Sequence, residues 1–238
     1  MHKISDFDTA SIQATLFTPG LSFVPPKILA SSLDKWGDTF DGTPISLPSP
    51  PEMPTEIPRV ILESDDKRYK IEFSPARVNL FWLRMEDTDK INVPDFLHFS
   101  TVVLCDYIVI VNGTVGRIAA IVTRFLKEAN PGKVLSEHFC REKWLARPFD
   151  RPQSFEIHAH KRYVLADKYR INSWVRCKTG LLGKKPNQEP IILVEQDLNT
   201  LPEETETREF SDVEIKDFFR RAGREFDSIL SLYFPLEE

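Results

Sequence analysis

The chain has 238 residues, of which 41% are hydrophobic and 28% charged, with a net charge of −5. That size and balance suit one large or two small globular domains, which need no disulfide or metal staple. The acidic total weighs against a dedicated nucleic-acid binder, although a basic patch can sit inside an acidic whole.

The three cysteines, Cys105, Cys140 and Cys177, are isolated and odd in number. They read as reduced, buried thiols of a cytoplasmic protein. The first residues, MHKISDFDTASIQ, carry no apolar signal core. The most apolar window, 101–111, is about half the length a bilayer span needs, so no membrane segment is expected.

In chain order, Ile12, Ala14 and Leu16 alternate with Gln13 and Thr15, the pattern of a half-buried strand over 11–18. Pro25 and Pro26 then suit a helix start, and Leu29, Leu33, Trp36 and Phe40 recur at helical spacing over 26–40. Six prolines mark 41–58 as an extended connection with polyproline character, either a stiff packed loop or a ligand for an aromatic groove. Three short strands follow over 59–64, 68–74 and 77–83. Phe96, Phe99, Val103 and Tyr107 give 95–111 a helical period, although its β-branched content also suits a strand.

Asn112-Gly113 separates two apolar runs, and Gly113-x-x-Gly116-Arg117 invites comparison with a phosphate loop. Such a loop needs a strand before it and a helix after it, and a nucleic-acid Gly-x-x-Gly loop needs helices on both sides. Here the order is helix then strand, so the expectation is a turn with Gly113 in the left-handed region.

The second half repeats the pattern. A strand is expected over 114–127, a helix over 133–145, and strands over 153–164, 168–178 and 190–198. A long helix over 212–233 opens with Ser211 and Glu214 as a capping box and carries the stripe Ile215, Phe218, Ala222, Phe226, Ile229 and Tyr233. The element order predicts an α+β fold of two βαβββα pseudo-repeats, 1–112 and 113–238. They form mostly antiparallel sheet, as two sheets or one, packed by helices.

No catalytic constellation emerges. There is no Gly-x-Ser-x-Gly elbow and no cysteine-protease signature. Glu156, His158 and His160 share one face of a strand and offer a metal-binding reading; the alternative is a solvated polar face. No cofactor is implied.

Charge is more informative. Segment 156–186 carries eight basic residues against two acidic ones, with tyrosines and Trp174 interleaved. Lys161, Arg162, Lys168, Tyr169, Arg170, Trp174, Arg176 and Lys178 therefore form a candidate binding set of the kind single-stranded nucleic acid uses. Segment 195–217 carries nine acidic residues against two basic ones. The two segments either neutralise each other across a hairpin, with Arg176 and Lys178 near Glu195 and Asp197, or form a bipolar docking surface.

Four stretches, FTPGLSFVPPKILASSLDKW, RYKIEFSPARVNLFWLR, GTVGRIAAIVTRF and the ending ILVEQDLNT…SDVEIKDFFRRAGREFDSILSLYF, carry a resemblance. The chain resembles a sporadically distributed, functionally uncharacterised bacterial family of similar length. The resemblance implies an intact single unit in a bacterial cytoplasm with partners outside the chain, and it supplies no activity. The expected function is a non-enzymatic binding or accessory protein acting through a protein partner, self-association included. The alternatives are a nucleic-acid role for 156–186 and a metal or enzymatic role for the His158/His160 strand.

Overall fold

The computed structural model describes residues 2–48, 50, 52–146, 149–183 and 185–235. Lys184, counted above with the basic segment, and Pro51 of the proline-rich connection lie outside the described residues.

The strands are β1 (Asp8–Phe17), β2 (Ile45–Ser46), β3 (Val60–Glu63), β4 (Tyr69–Phe73), β5 (Arg77–Leu83), β6 (Arg117–Lys127), β7 (Glu156–Leu165), β8 (Tyr169–Leu182) and β9 (Glu189–Thr200). They form one nine-stranded sheet in the order β2-β3-β4-β5-β1-β6-β9-β8-β7. Every neighbouring pair is antiparallel. The helices are α1 (Pro25–Trp36), α2 (Val93–Val111), α3 (Pro131–Phe139), the single turn α4 (Glu142–Leu145) and α5 (Asp212–Tyr233). The architecture is therefore α+β, and the two halves of the chain share one continuous sheet through the β1–β6 pair.

Strand parity decides which side chains enter the core. Ile12, Ala14 and Leu16 of β1 stand opposite Trp82, Leu80 and Val78 of β5 and opposite Val122, Ala120 and Ile118 of β6. All nine are buried in one hydrophobic cluster with Phe96, Leu97 and Leu104 of α2 and Phe218, Phe219, Ala222 and Phe226 of α5. Each buried large apolar side chain contributes roughly 1.5–3 kcal/mol. The expected capping box of α5 is present, with Glu214 N–H donating to Ser211 and the Glu214 carboxylate accepting from Ser211 N–H. Arg124 also points inward from β6. It donates to Asp227 of α5 at 2.6 Å and to Gln196, whose amide donates to Phe226 O at 2.7 Å.

Several expectations need correction. The helix expected over 133–145 breaks at Cys140–Arg141 into α3 and α4, because Cys140 is extended with φ −104° and ψ 148°. Cys105 and Cys177 are buried free thiols, whereas Cys140 is only partly covered. The apolar stretch around 101–111 belongs to a helix of 19 residues, long and apolar enough to span a bilayer, and half of that stretch is buried in the protein.

The turn at 112–116 is real, but Asn112, not Gly113, takes the left-handed conformation, with φ 47° and ψ 46°. Asn tolerates that region because its short side chain bonds locally. Gly116 is required for a different reason: a Cβ there would collide with the backbone carbonyl of Thr205. A Cβ on Gly113 meets only the side chains of Leu21 and Val111, at 3.2 Å. Gly116→Ala is therefore expected to cost about 1–3 kcal/mol of unfolding free energy. Gly113→Ala should stay within about 0.5 kcal/mol. Denaturant midpoints of the two variants check this contrast.

Candidate functional site

The second face of the sheet carries no α-helix among the described residues; a short 3-10 turn, Pro202–Glu204, borders it. Its side chains have the opposite parity to the core set, and the strand registers align them in rows that cross the sheet. One row runs Glu72, Asn79, Thr15, Ala119, Asn199, Asn172, Arg162. The next runs Lys70, Phe81, Gln13, Ile121, Asp197, Trp174, His160.

Hydrogen bonds join these rows into two networks on either side of Ala119. On one side Gln13 Nε2 donates to Thr15 Oγ1 at 2.9 Å, and Thr15 Oγ1 donates to Asn79 Oδ1 at 2.9 Å. On the other, Arg117 Nη2 donates to Asn199 Oδ1 at 2.7 Å, and Asn199 Nδ2 donates to Asp197 Oδ1 at 2.8 Å. His160 Nε2 lies 2.5 Å from Asn172 Oδ1. Its ring stacks on Trp174, with centroids 4.1 Å apart and planes 11° apart. Burial pushes the Asp197 carboxyl up, against the Asn199 bond and the charges of Arg117 and Arg176.

The structure divides the candidate binding set. Arg162, Arg170, Trp174, Arg176 and Lys178 occupy alternate positions of β7 and β8 and share the helix-free face. Three of those arginines are neutralised by the acidic segment. Arg162 pairs with Glu203 at 2.8 Å, Arg170 with Glu204 at 2.6 Å, and Arg176 with Glu195 directly across the β8–β9 ladder. Lys178 stands opposite Leu193 and makes no ion pair among the described residues.

The other three belong elsewhere. Lys161 is on the helix side of the edge strand β7, with its ammonium 5.2 Å from the Tyr163 ring centroid. Lys168 is in the β7–β8 turn, 3.8 Å from Glu214. Tyr169 is fully buried and offers no stacking surface. Its hydroxyl is 3.0 Å from both Glu214 O and Asp217 Oδ2, a strut between β8 and α5.

The metal reading also fails on geometry. Glu156 and His158 bond each other at 2.6 Å, while His160 is committed to Asn172 and Trp174. Among the described residues no group of three or more His, Cys, Asp or Glu side chains is placed to hold a metal ion.

Sequence reasoning missed Gln13, Thr15, Asn79, Arg117 and Asn199. Gln13, Thr15, Asn79 and Arg117 lie on strands expected from the sequence, Asn199 lies one residue past the expected end of its strand, and strand parity assigns all five to the polar side. Only the cross-strand register shows that they meet. No family model matches the chain, and no curated protein is significantly similar to it.

Asp217 accepts from Tyr169, from Arg220 at 2.5 Å and from Arg221 at 2.8 Å, and these bonds hold its carboxyl down at about 2. A lowered folded pKa stabilises the fold fully above the unfolded value, about 3.9, and the contribution disappears as pH falls through the folded value. Asp217→Asn should therefore lose about 1 kcal/mol at neutral pH, discounted for solvent screening. The difference should shrink below about pH 4 and vanish only below about pH 2. Unfolding free energies measured across that pH range check this.

Proposed function

We propose that this is a non-enzymatic binding protein that holds a protein partner, a second copy of the chain included, on the helix-free face of its sheet. The observation that carries the reading is the contrast between the two faces. One is filled by α1, α2, α3 and α5. The other presents Phe81, Ile121, Trp174 and Leu193, all partly exposed, among side chains held in place by hydrogen bonds. Apolar and aromatic anchors set in a preorganised polar frame are what protein–protein recognition uses.

Charge supports a protein over a nucleic acid. Nucleic-acid binding needs cations free to replace counterions along a phosphate backbone. Here three arginines of the face are already engaged by glutamates of the same chain.

The strand order also supports the two-unit reading of the fold. Outward from the central β1–β6 pair, β5, β4, β3 on one side answer β9, β8, β7 on the other. Each half then reads strand, helix, three strands, helix, with β2 and α4 as additions. In this reading the binding face is shared by both units, so a partner spans the central pair.

Affinity capture from nuclease-treated native extract tests the proposal. Ile121→Glu and Trp174→Ala should each reduce partner recovery at least about ten-fold, the size of a single interface anchor. The unfolding midpoint should remain close to wild type. Retention of the same partner by both variants would refute the assignment of this face.

A further inference from the structure

At one end of the helix-free face, Arg77, Phe17 and Arg117 stand side by side on β5, β1 and β6. The two arginines flank the Phe17 ring, with guanidinium carbons 5.9 Å (Arg77) and 4.5 Å (Arg117) from its centroid. With Thr18, Pro19 and Leu21 they line a cleft of about 430 Å³. That volume is in the range of small-molecule sites.

The bonding in this cleft is incomplete. Six buried side-chain polar atoms lack a hydrogen-bond partner among the described residues, and three of them, Thr18 Oγ1, Arg77 Nε and Arg117 Nε, belong to residues of this one cleft. Native proteins satisfy nearly all such groups, and a cluster of exceptions calls for a missing partner. The Arg77 guanidinium makes no hydrogen bond and no ion pair among the described residues. Among the described residues the Arg117 guanidinium bonds only the neutral amide of Asn199, at 2.7 Å. Elsewhere on this face Arg162, Arg170 and Arg176 each engage a glutamate. Glu56 and Glu206 also border the cleft, but both are exposed and neither pairs with either arginine.

Two guanidinium groups without a direct carboxylate partner among the described residues select the ligand charge; Asp197 and Glu203 act on Arg117 only through space. A carboxylate offers one negative charge and two oxygens, which a single arginine already saturates. A phosphate monoester carries close to two charges and three acceptor oxygens at neutral pH. Pro19 and Leu21, which also line the cleft, supply apolar contact for the group that bears it. We propose that the Arg77–Phe17–Arg117 cleft binds a small ligand through its phosphate monoester, with one guanidinium on each side of the dianion.

The test follows the arginine Nε–H signals of the ¹⁵N-labelled full chain during titration with inorganic phosphate, phenyl phosphate and benzoate. Saturable shifts of the Arg77 and Arg117 signals are expected with both phosphates, and benzoate should bind at least tenfold more weakly. Arg77→Gln and Arg117→Gln should each weaken phenyl phosphate binding at least tenfold. Glu56→Gln with Glu206→Gln should tighten it. The wild-type titration decides the matter even where an arginine variant fails to fold. The proposal is overturned if no signal saturates by about 10 mM phosphate, ten times the dissociation constant of a millimolar site. It is equally overturned if chloride at matched ionic strength gives the same shifts, or if Arg77→Gln binds as the wild type does. The partner proposal rests on Ile121 and Trp174 and stands or falls separately.

Discussion

The rest of the structure depends on the pairing of β1 with β6. Each is the first strand of its half of the chain, and among the described residues the antiparallel ladder between them is the only one that joins the halves into a single sheet. Because side chains alternate along a strand, the register of this pair also fixes which residues of both halves share a face. A slip of one residue would place Ala14 and Ala120 on opposite faces and bring the polar set of one half into the core. The helix face could not absorb that change, since Phe218, Phe219 and Phe226 of α5 and Phe96 of α2 fill it with no exposed area beyond 2%.

The two faces solve different problems. The helix side is held by apolar burial, with one buried cation, Arg124, tied to Asp227 and Gln196 across the sheet–α5 boundary. The other side has no helix above it among the described residues, so its central polar groups satisfy one another. They do so largely with neutral amides and hydroxyls, which cost far less to desolvate than free charges. Lys70 and Glu72 pair with each other on β4, and the arginines further out on β7 and β8 are matched by carboxylates on β9 and the following turn. The face is therefore held in place by its own hydrogen bonds and ion pairs, and preorganisation of this kind lowers the entropy cost of association.

Much of the fold was legible in the sequence, for identifiable reasons. Helix α5 was read to the residue because Ser211 and Glu214 mark its start and an apolar stripe runs its whole length. Strands β3, β4 and β5 were legible because Asp65-Asp66-Lys67 and Ser74-Pro75-Ala76 punctuate them. Less local features were harder. The break between α3 and α4 has no glycine or proline to announce it, and Asn112 rather than Gly113 supplies the left-handed turn. In the candidate set, parity along β8 separates Arg170, Trp174, Arg176 and Lys178 from Tyr169, and composition alone does not apply that rule. Arg77, Phe17 and Arg117 are far apart in the chain and meet only through a register that no local pattern encodes.

We propose that the helix-free face is the working surface. Hydroxyl-radical footprinting of the protein alone and bound to its captured partner tests it most directly, because oxidation reports side-chain exposure residue by residue. Trp174 and Phe81 are expected to lose reactivity in the complex while the exposed Trp144 and Met85 keep theirs. Protection confined to the helix side, for example at Val109 and Val213, with Trp174 unchanged, would contradict it.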